Sequence, residues 1–161
     1  MYPGKYATQY PERPAFIMAG TGEAVSCREF EARSNRLARL LRAQGLKRLD
    51  HYAIFMDNNN RFLEACAAGY RAGMSFTCDN RFLTPEELAC IIDNSESQLL
   101  ITSRAKLAVA AEALKSCPKV KLCLVVDGGQ GLTRPCKDDA IAIAAYPGSA
   151  AHDELLGTSV L

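Results

Sequence analysis

The sequence predicts an α/β fold, an open and mostly parallel sheet with helices on both faces. Three observations predict this class. Short apolar runs alternate along the chain with segments whose apolar residues recur at helical spacing. The runs are apolar at nearly every position, which is typical of parallel strands covered on both faces. The length of 161 residues corresponds to about one domain, large enough for a real core.

A small hairpin and a long helix are predicted first. Residues 15–18 form a strand candidate, and a glycine-containing turn leads back to a second strand at 24–26. Ser26 is followed three residues later by Glu29, which matches the capping box that opens a helix. Gly45 is placed to end this helix in the left-handed conformation.

The long helix carries an excess of basic residues. Between Arg28 and Arg48 there are seven basic residues and two acidic ones. One interpretation is a face that binds phosphate or an acidic membrane. The favoured interpretation is a solvated face with a Glu29–Arg33 ion pair, because acidic residues elsewhere reduce the net charge to +1.

The middle of the chain predicts a strand, a helix and a second strand. Residues 52–56 are almost entirely apolar and too few for a helix. A helix over residues 60–72 follows, with Asn60 as its expected N-cap. Its inner face is rich in small residues, including Gly69, which predicts a close approach to the sheet. The next strand is expected at 74–78.

The second half of the alternation begins with the clearest helix signal in the chain. Thr84 stands at the cap position and Pro85 at the first helical position, and acidic residues fill the first turn. The alternation then continues with a strand at 98–102, a helix at 103–117 and a strand at 122–126.

The alternating pattern ends near residue 127. We therefore expect an α/β unit over residues 1–127. Residues 128–161 are predicted to be an irregular connecting segment, because they combine glycine, proline and charge without periodicity. Gly157–Leu161 reads as the beginning of a further strand.

No motif in the sequence identifies a catalytic, cofactor-binding or metal-ligating residue. Asp127–Gly131 is superficially like a dinucleotide loop, but that fingerprint requires a helix directly behind its glycines. Residues 132–135 do not predict one, which disfavours an independent nucleotide-binding domain. His51, next to Asp50, is a conceivable general base, but a structural role is favoured because no nucleophile is recognisable nearby.

Composition excludes several classes of protein. A net charge of +1 gives no support for nucleic-acid binding. The seven cysteines include no Cys-x-x-Cys spacing, so we expect reduced, mostly buried thiols rather than disulfides or zinc. No apolar run is long enough to span a bilayer, and no signal peptide is recognised. The expected location is cytoplasmic, with peripheral membrane association left open.

Several segments carry a resemblance to a known family. They are Tyr2–Gly4, Arg13–Ala15, Gly20–Glu23, Glu31–Ala38, Asp50–Asn59, Arg61–Glu64, Leu83–Leu88 and Leu100–Ser103. On these segments the chain resembles the N-terminal region of AMP-forming acyl-CoA synthetases, most closely the bacterial fatty-acid–CoA ligases of the AMP-binding adenylating superfamily. The resemblance implies an acid–thiol ligase that uses ATP, Mg²⁺, CoA and a fatty acid. One departure is Leu49, which stands where the family usually has glycine.

The resemblance also implies what this chain lacks. The family's phosphate loop, a Ser/Thr-Gly-rich stretch ending in Pro-Lys-Gly, would begin beyond Leu161, so no catalytic position is carried over. We expect an incomplete N-terminal subdomain that is inactive alone. The alternative is a non-catalytic scaffold or interaction module built on the same fold. An uncovered sheet edge would favour self-association.

Overall fold

The structure is a computed structural model that describes residues 4–129, 132 and 135–150. A 3₁₀ turn lies at Arg104–Lys106. In chain order the elements are α1 (Gly4–Gln9), β1 (Pro14–Ile17), β2 (Ala24–Ser26), α2 (Cys27–Ala43), β3 (His51–Phe55), α3 (Phe62–Ala72), β4 (Ser75–Cys78), α4 (Pro85–Asn94), β5 (Leu99–Ser103), α5 (Leu107–Leu114), β6 (Leu122–Val126), β7 (Cys136–Asp138) and α6 (Asp139–Ala144).

The centre of the fold is a five-stranded sheet in the order β4-β3-β5-β6-β7, and all its neighbouring strands are parallel. Every residue of β5 and β6 is buried, as their unbroken apolar character predicts. β1 and β2 form a separate antiparallel hairpin. The predicted α/β class and parallel sheet are confirmed.

Helices cover both faces of the sheet. Alternate strand residues such as Tyr52, Ile54 and Leu99 pack with α2, α3 and α6. The residues between them, such as Phe55 and Leu100, pack with α4 and α5 on the other face. This alternation follows from the period of two along a strand, and it produces two separate apolar layers.

The predicted starts of α2 and α4 and the predicted end of α2 are confirmed. Ser26 Oγ accepts a hydrogen bond from the Glu29 amide at 3.1 Å, and Glu29 Oε2 accepts one from the Ser26 amide at 3.2 Å. Thr84 and Glu87 form the same reciprocal pair at the start of α4. Gly45 follows α2 with a φ of +91°, in the left-handed region.

The expected start of α3 is wrong. Asn60 does not cap the helix, which begins at Phe62 with Arg61 as an N-cap that lacks a side-chain bond. Asn59 instead accepts a bond from the Arg61 amide at 2.8 Å, and the Asn60 side chain donates to Glu23. The bond to Glu23 directs the Asn60 side chain toward the hairpin, and the helix begins one residue later than a cap at Asn60 requires.

The segment after residue 127 is more regular than the sequence predicts. It contains β7, whose Cys136 is the register partner of Cys123, and α6, whose N-cap is Asp138. The expectation of an irregular segment is therefore wrong for residues 136–144. Elements of three and six residues give too little periodicity to be recognised. The boundary at 127 stays a prediction, and Gly157–Leu161 lies outside the described residues.

Smaller differences concern the ends of elements. β1 covers 14–17 instead of 15–18, and α1 was not expected. The helix predicted over 103–117 is shorter, because a 3₁₀ turn precedes α5 and α5 ends at Leu114. Backbone groups in the first and last turns of a helix lack the full set of intrahelical hydrogen bonds, so these ends fray. Sequence periodicity therefore locates them poorly.

Leu49 occupies a left-handed backbone position, with a φ of +70°. A bulky L-residue in this region is strained, whereas glycine adopts it freely. The Leu49 amide donates to the Gly73 carbonyl at 2.8 Å, which fixes the turn between α2 and β3. This explains why the departure from glycine at this position matters.

Replacing Leu49 with glycine is therefore expected to stabilise the chain by about 0.5–1 kcal/mol. The gain is the relieved backbone strain minus the larger conformational entropy of glycine in the unfolded chain. Leu49 is half exposed, so little apolar packing is lost. Urea unfolding of Leu49→Gly and of Leu49→Ala measures this. A stability of Leu49→Gly equal to that of Leu49→Ala would contradict the argument.

Candidate functional site

Ligands of open parallel sheets gather beyond the carboxyl ends of the strands. That edge holds Asp57 after β3, Asp79 after β4, Ser103 at the end of β5 and Asp138 at the end of β7. Ser103 Oγ donates to Asp57 Oδ1. Asp138 accepts from the Gly129 amide at 2.8 Å and caps α6. Most polar groups at this edge are therefore occupied by structural bonds.

Asp79 is different from the other carboxylates at the edge. Its exposed fraction is 7%, and neither of its carboxylate oxygens has a hydrogen-bond partner in the described part of the chain. Its amide continues the sheet by donating to the Ile54 carbonyl at 2.9 Å. Burial raises the pKa of Asp79 to about 7 from an ordinary value of 3.8. The residue therefore holds a proton at mildly acidic pH.

We expect Asp79 to make the chain less stable as pH rises. The unfolded carboxyl loses its proton near pH 4 and the folded one near pH 7, so in this window the folded state binds more protons. The free energy of unfolding then falls between pH 4 and 7. Asp79→Asn should remove this dependence and raise stability at pH 8 by at least about 1 kcal/mol.

Thermal unfolding from pH 4 to 8 measures the effect. Asp57→Asn is the matched control, because that carboxylate is bonded to Ser103 and its replacement should leave the Asp79 contribution in place. Asp139 contributes in the same direction, since burial raises its pKa to about 6. An Asp79→Asn chain with an unchanged pH profile would contradict the assignment.

The glycine loop after β6 does not build a phosphate cradle in the described residues. Gly129 has a φ of +62°, and Arg104 Nη1 donates to the Gly128 carbonyl at 2.9 Å. Pro135 lies in a turn and Cys136 begins β7, so the loop leads into a strand and not into a helix. A helix N-terminus is what holds a pyrophosphate in the dinucleotide fingerprint. The next described element after this loop is therefore not the one that the fingerprint requires.

His51 lies at the amino end of β3, on the side of the sheet opposite to the carboxyl ends of the strands. It begins β3, is half-buried, and its carbonyl accepts from the Gln98 amide at 2.9 Å. The structural interpretation of His51 is therefore the one that its position supports.

The basic face of α2 is not solvated as expected. Arg33 Nε donates to Glu64 Oε2 at 2.6 Å and Arg33 Nη2 donates to Asp139 at 3.2 Å. Arg61 also reaches Glu64, at 2.8 Å. The predicted Glu29–Arg33 pair is wrong, because α3 and α6 cover this side of α2 and bring carboxylates that are distant in sequence. Sequence periodicity gave no signal for these pairs.

A second part of this face holds a fully buried cation. The Arg71 side chain is 1% exposed and donates to Ser34 Oγ and Asn35 Oδ1, both at 3.0 Å, and to Glu31. Burial lowers the pKa of Arg71, while Glu31 acts in the opposite direction. An arginine stays charged in proteins, so Arg71 of α3 and Glu31 of α2 form a buried ion pair between the two helices.

The same helix also grips the chain after α6. Asn35 Nδ2 donates to the Gly148 carbonyl at 3.0 Å, and Arg39 Nη1 donates to the Pro147 carbonyl at 2.8 Å. Arg39 also donates to the carbonyls of Ser149 and Ala150. These bonds fix the direction in which the backbone leaves the described part of the fold.

An apolar cavity of about 470 Å³ lies between α1, the hairpin, α2 and α3. Aromatic rings form much of its wall, among them Tyr10, Phe16, Phe30 and Tyr70, and Cys66 also lines it. Phe16 and Phe30 pack edge to face with centroids 5.6 Å apart. The walls offer shape and apolar surface but few polar groups to orient a reacting ligand.

The described residues contain neither a metal-ligand cluster nor a membrane-spanning helix. They contain no group of three or more histidine, cysteine, aspartate or glutamate side chains arranged to hold a metal ion. Among the same residues, no helix is both long and apolar enough to cross a bilayer.

The cysteines are unpaired by disulfides, as expected, but they are not mostly buried. Three are buried, two are half-buried, and Cys78 and Cys90 are exposed. Cys66 was expected in the core and is one of the half-buried two, because it faces the apolar cavity.

The comparisons with known proteins identify the family. A family model described as an AMP-binding enzyme matches residues 5–153. The chain belongs to the AMP-binding enzyme family. The chain is 31% identical over 153 residues to a medium-chain-fatty-acid–CoA ligase of Ectopseudomonas oleovorans, covering 94% of this chain and 26% of that protein. It is 35% identical over 119 residues to a 3-oxocholest-4-en-26-oate–CoA ligase of Rhodococcus rhodochrous, covering 74% of this chain and 21% of the relative.

Solved structures agree with the fold of this chain. A coronafacic acid ligase from Pectobacterium brasiliense matches with a TM-score of 0.83 at 18% identity, over 94% of this chain and 30% of that one. An anthranilate CoA ligase in complex with anthranoyl-AMP matches with the same TM-score at 14% identity, over 94% of this chain and 29% of the other. The chain thus spans about a quarter of these two curated relatives, 21% and 26% of their lengths.

Proposed function

We propose that this chain is the N-terminal portion of a fatty-acid–CoA ligase. The observation that carries the proposal is the family match over residues 5–153, together with the similarity to a medium-chain-fatty-acid–CoA ligase over 94% of the chain. The complete enzyme would join a carboxylic acid to the AMP part of ATP and release pyrophosphate. The acyl group would then pass to the thiol of CoA, and AMP would leave.

The described residues do not fit the site of the triphosphate. The carboxyl edge of the sheet presents carboxylates, which repel phosphate, and the glycine loop leads into a strand. Among the described residues, the guanidinium of Arg104 lies next to this loop and is bonded to the Gly128 carbonyl. We infer that these residues support a catalytic pocket and do not form it.

The supporting role has a concrete structural content. The ion pairs among α2, α3 and α6 hold the helical layer on the sheet. Asn35 and Arg39 then set the course of residues 147–150. A buried ionic layer of this kind fixes one arrangement of helices, because misplaced partners would leave charges unpaired.

The 161-residue chain alone is expected to show no ATP–pyrophosphate exchange with any fatty acid. Adenylate formation requires preorganised donors and a cation against the phosphate charge, and the described residues supply neither. Exchange of labelled pyrophosphate into ATP measures this. Exchange that survives removal of every contaminating full-length ligase would overturn the expectation.

A chimera tests the proposed function itself. Residues 5–153 would replace the matching segment of the Ectopseudomonas oleovorans ligase, and the control is that ligase without the segment. We expect the chimera to support fatty-acid-dependent exchange and CoA thioester formation, and the control to show neither. A folded, soluble chimera without exchange would contradict the proposal and favour the interaction module.

Three finer statements are part of the proposal. Residues 1–127 would form the α/β subdomain and residues 128–161 the connection that follows it. The protein would be cytoplasmic, which cell fractionation tests.

β4 lies at the edge of the sheet, so the isolated chain would self-associate there, and its elution volume would depend on concentration.

A further inference from the structure

Two cysteines that are 12 residues apart in sequence lie next to each other at the sheet edge. Cys66 is on α3 and Cys78 is the last residue of β4, and their Sγ atoms are 4.0 Å apart. Cys78 is exposed, whereas Cys66 is half-buried and lines the apolar cavity. The proposed ligase function makes no use of either thiol.

We propose that Cys66 and Cys78 are a thiol-oxidation site, which hydrogen peroxide converts into a reversible disulfide between α3 and β4. The two sulfurs are 4.0 Å apart, close to van der Waals contact, and the exposed Cys78 side chain is free to rotate toward Cys66. The S–S bond requires about 2.05 Å, so the sulfurs must approach by about 2 Å. Both thiols belong to elements that are already packed together, so no large backbone movement is needed.

The electrostatics of the pair make Cys78 the attacking thiol. The Cys66 thiol stabilises the Cys78 thiolate by hydrogen bonding and so lowers the pKa of Cys78, although burial and Asp79 act in the opposite direction. The same hydrogen bond and burial raise the pKa of Cys66. A thiolate that is also exposed is the form that reacts with peroxide.

The chemistry balances with hydrogen peroxide as the oxidant. The Cys78 thiolate attacks one peroxide oxygen, the O–O bond breaks, and a sulfenic acid and hydroxide result. The Cys66 sulfur then attacks the Cys78 sulfur, the S–S bond forms and the S–O bond breaks. The departing hydroxide takes up the Cys66 proton as water, and two electrons have passed from the thiols to peroxide.

The chain provides matched comparisons for this pair. Cys123 and Cys136 are register partners on neighbouring parallel strands. Hydrogen bonding to Cys123 lowers the pKa of Cys136 to about 7, but Cys136 is half-buried and Cys123 is fully buried, so peroxide reaches this pair less easily than the exposed Cys78. Strands lie about 4.8 Å apart, which is wider than the Cβ separation of about 3.8 Å in a disulfide. Cys90 is exposed like Cys78, but its thiol accepts a hydrogen bond from Asn94 Nδ2 at 3.3 Å. We expect neither Cys90 nor the Cys123–Cys136 pair to form a disulfide within the chain.

The test treats the reduced 161-residue chain with limiting hydrogen peroxide, blocks free thiols with a maleimide, and maps peptides by mass spectrometry without reduction. We expect a peptide pair joined through Cys66 and Cys78, the loss of two titratable thiols, and their recovery with dithiothreitol. Cys66→Ser should stop at the sulfenic acid of Cys78, trapped by dimedone. Cys90→Ser should behave like the parent chain.

Four outcomes would overturn the proposal. They are over-oxidation of Cys78 without a cross-link, earlier formation of a Cys123–Cys136 bond, dimers linked through Cys78, or the same preference for Cys66–Cys78 in guanidinium-unfolded chain. The last result would show that sequence proximity and not the fold selects the pair. None of these readouts involves ligase activity, so this test is independent of the proposed function.

Discussion

Replacing Gly69 with alanine is expected to destabilise the chain by about 1–3 kcal/mol, although the same change stabilises an exposed helix. A Cβ atom at Gly69 would lie 2.5 Å from Tyr52 Oη and 2.7 Å from Phe76 Cδ1. Tyr52 cannot yield easily, because it is fully buried and donates to the Ala65 carbonyl at 2.6 Å. α3 would therefore have to rise from the sheet and loosen its packing on α2.

Chemical unfolding monitored by circular dichroism measures this effect. Gly20→Ala is the control, since a Cβ there meets nothing within 4 Å. The double variant Gly69→Ala with Tyr52→Phe removes the nearest clashing atom and should recover part of the loss. A Gly69→Ala chain as stable as the parent would show that α3 does not approach the sheet as closely as described.

Replacing Glu31 with alanine is expected to cost about 3–5 kcal/mol, because it removes the carboxylate partner of the buried Arg71 cation. The side chains of Arg71 and Glu31 are 1% and 16% exposed, so solvent compensates little for the lost partner. Glu31→Gln keeps an oxygen acceptor for the guanidinium and should cost less than Glu31→Ala.

Glu12→Ala is the matched control for the ion pair. Glu12 pairs with Arg28, but both side chains are largely exposed, at 74% and 67%. Its removal should cost less than about 1 kcal/mol. Equilibrium urea unfolding of the three glutamate variants at low and high salt tests the contrast. Equal losses at Glu31 and Glu12 would contradict the assignment of Arg71 to a desolvated site.

The capping boxes and the strands were predictable because their signals are local. Ser26 with Glu29 satisfies backbone groups within one helical turn, and such bonds form in any fold that contains the helix. The unbroken apolar runs at β5 and β6 likewise indicate burial on both faces before any partner is known. The fold class followed from these signals.

The ionic layer was not predictable, because its partners are distant in sequence. Arg33 meets Asp139 across 106 positions, and a local reading gave it Glu29 as a partner instead. The failure of Asn60 as a cap was unpredictable for the same reason, because its side chain is bonded to Glu23, which is 37 positions away in sequence. Neither contact has a periodicity to reveal it.

The amino-acid sequence by itself determined the α/β class, the order of most strands and helices along the chain and the family resemblance, because each depends on short-range pattern or on motif identity. Only the tertiary structure decided which strands are neighbours, that β7 and α6 extend the fold, that Arg33 of α2 meets carboxylates on α3 and α6, and that Cys66 meets Cys78. Those features depend on packing between elements, where a few ångströms of separation determine whether two groups bond, clash or remain apart.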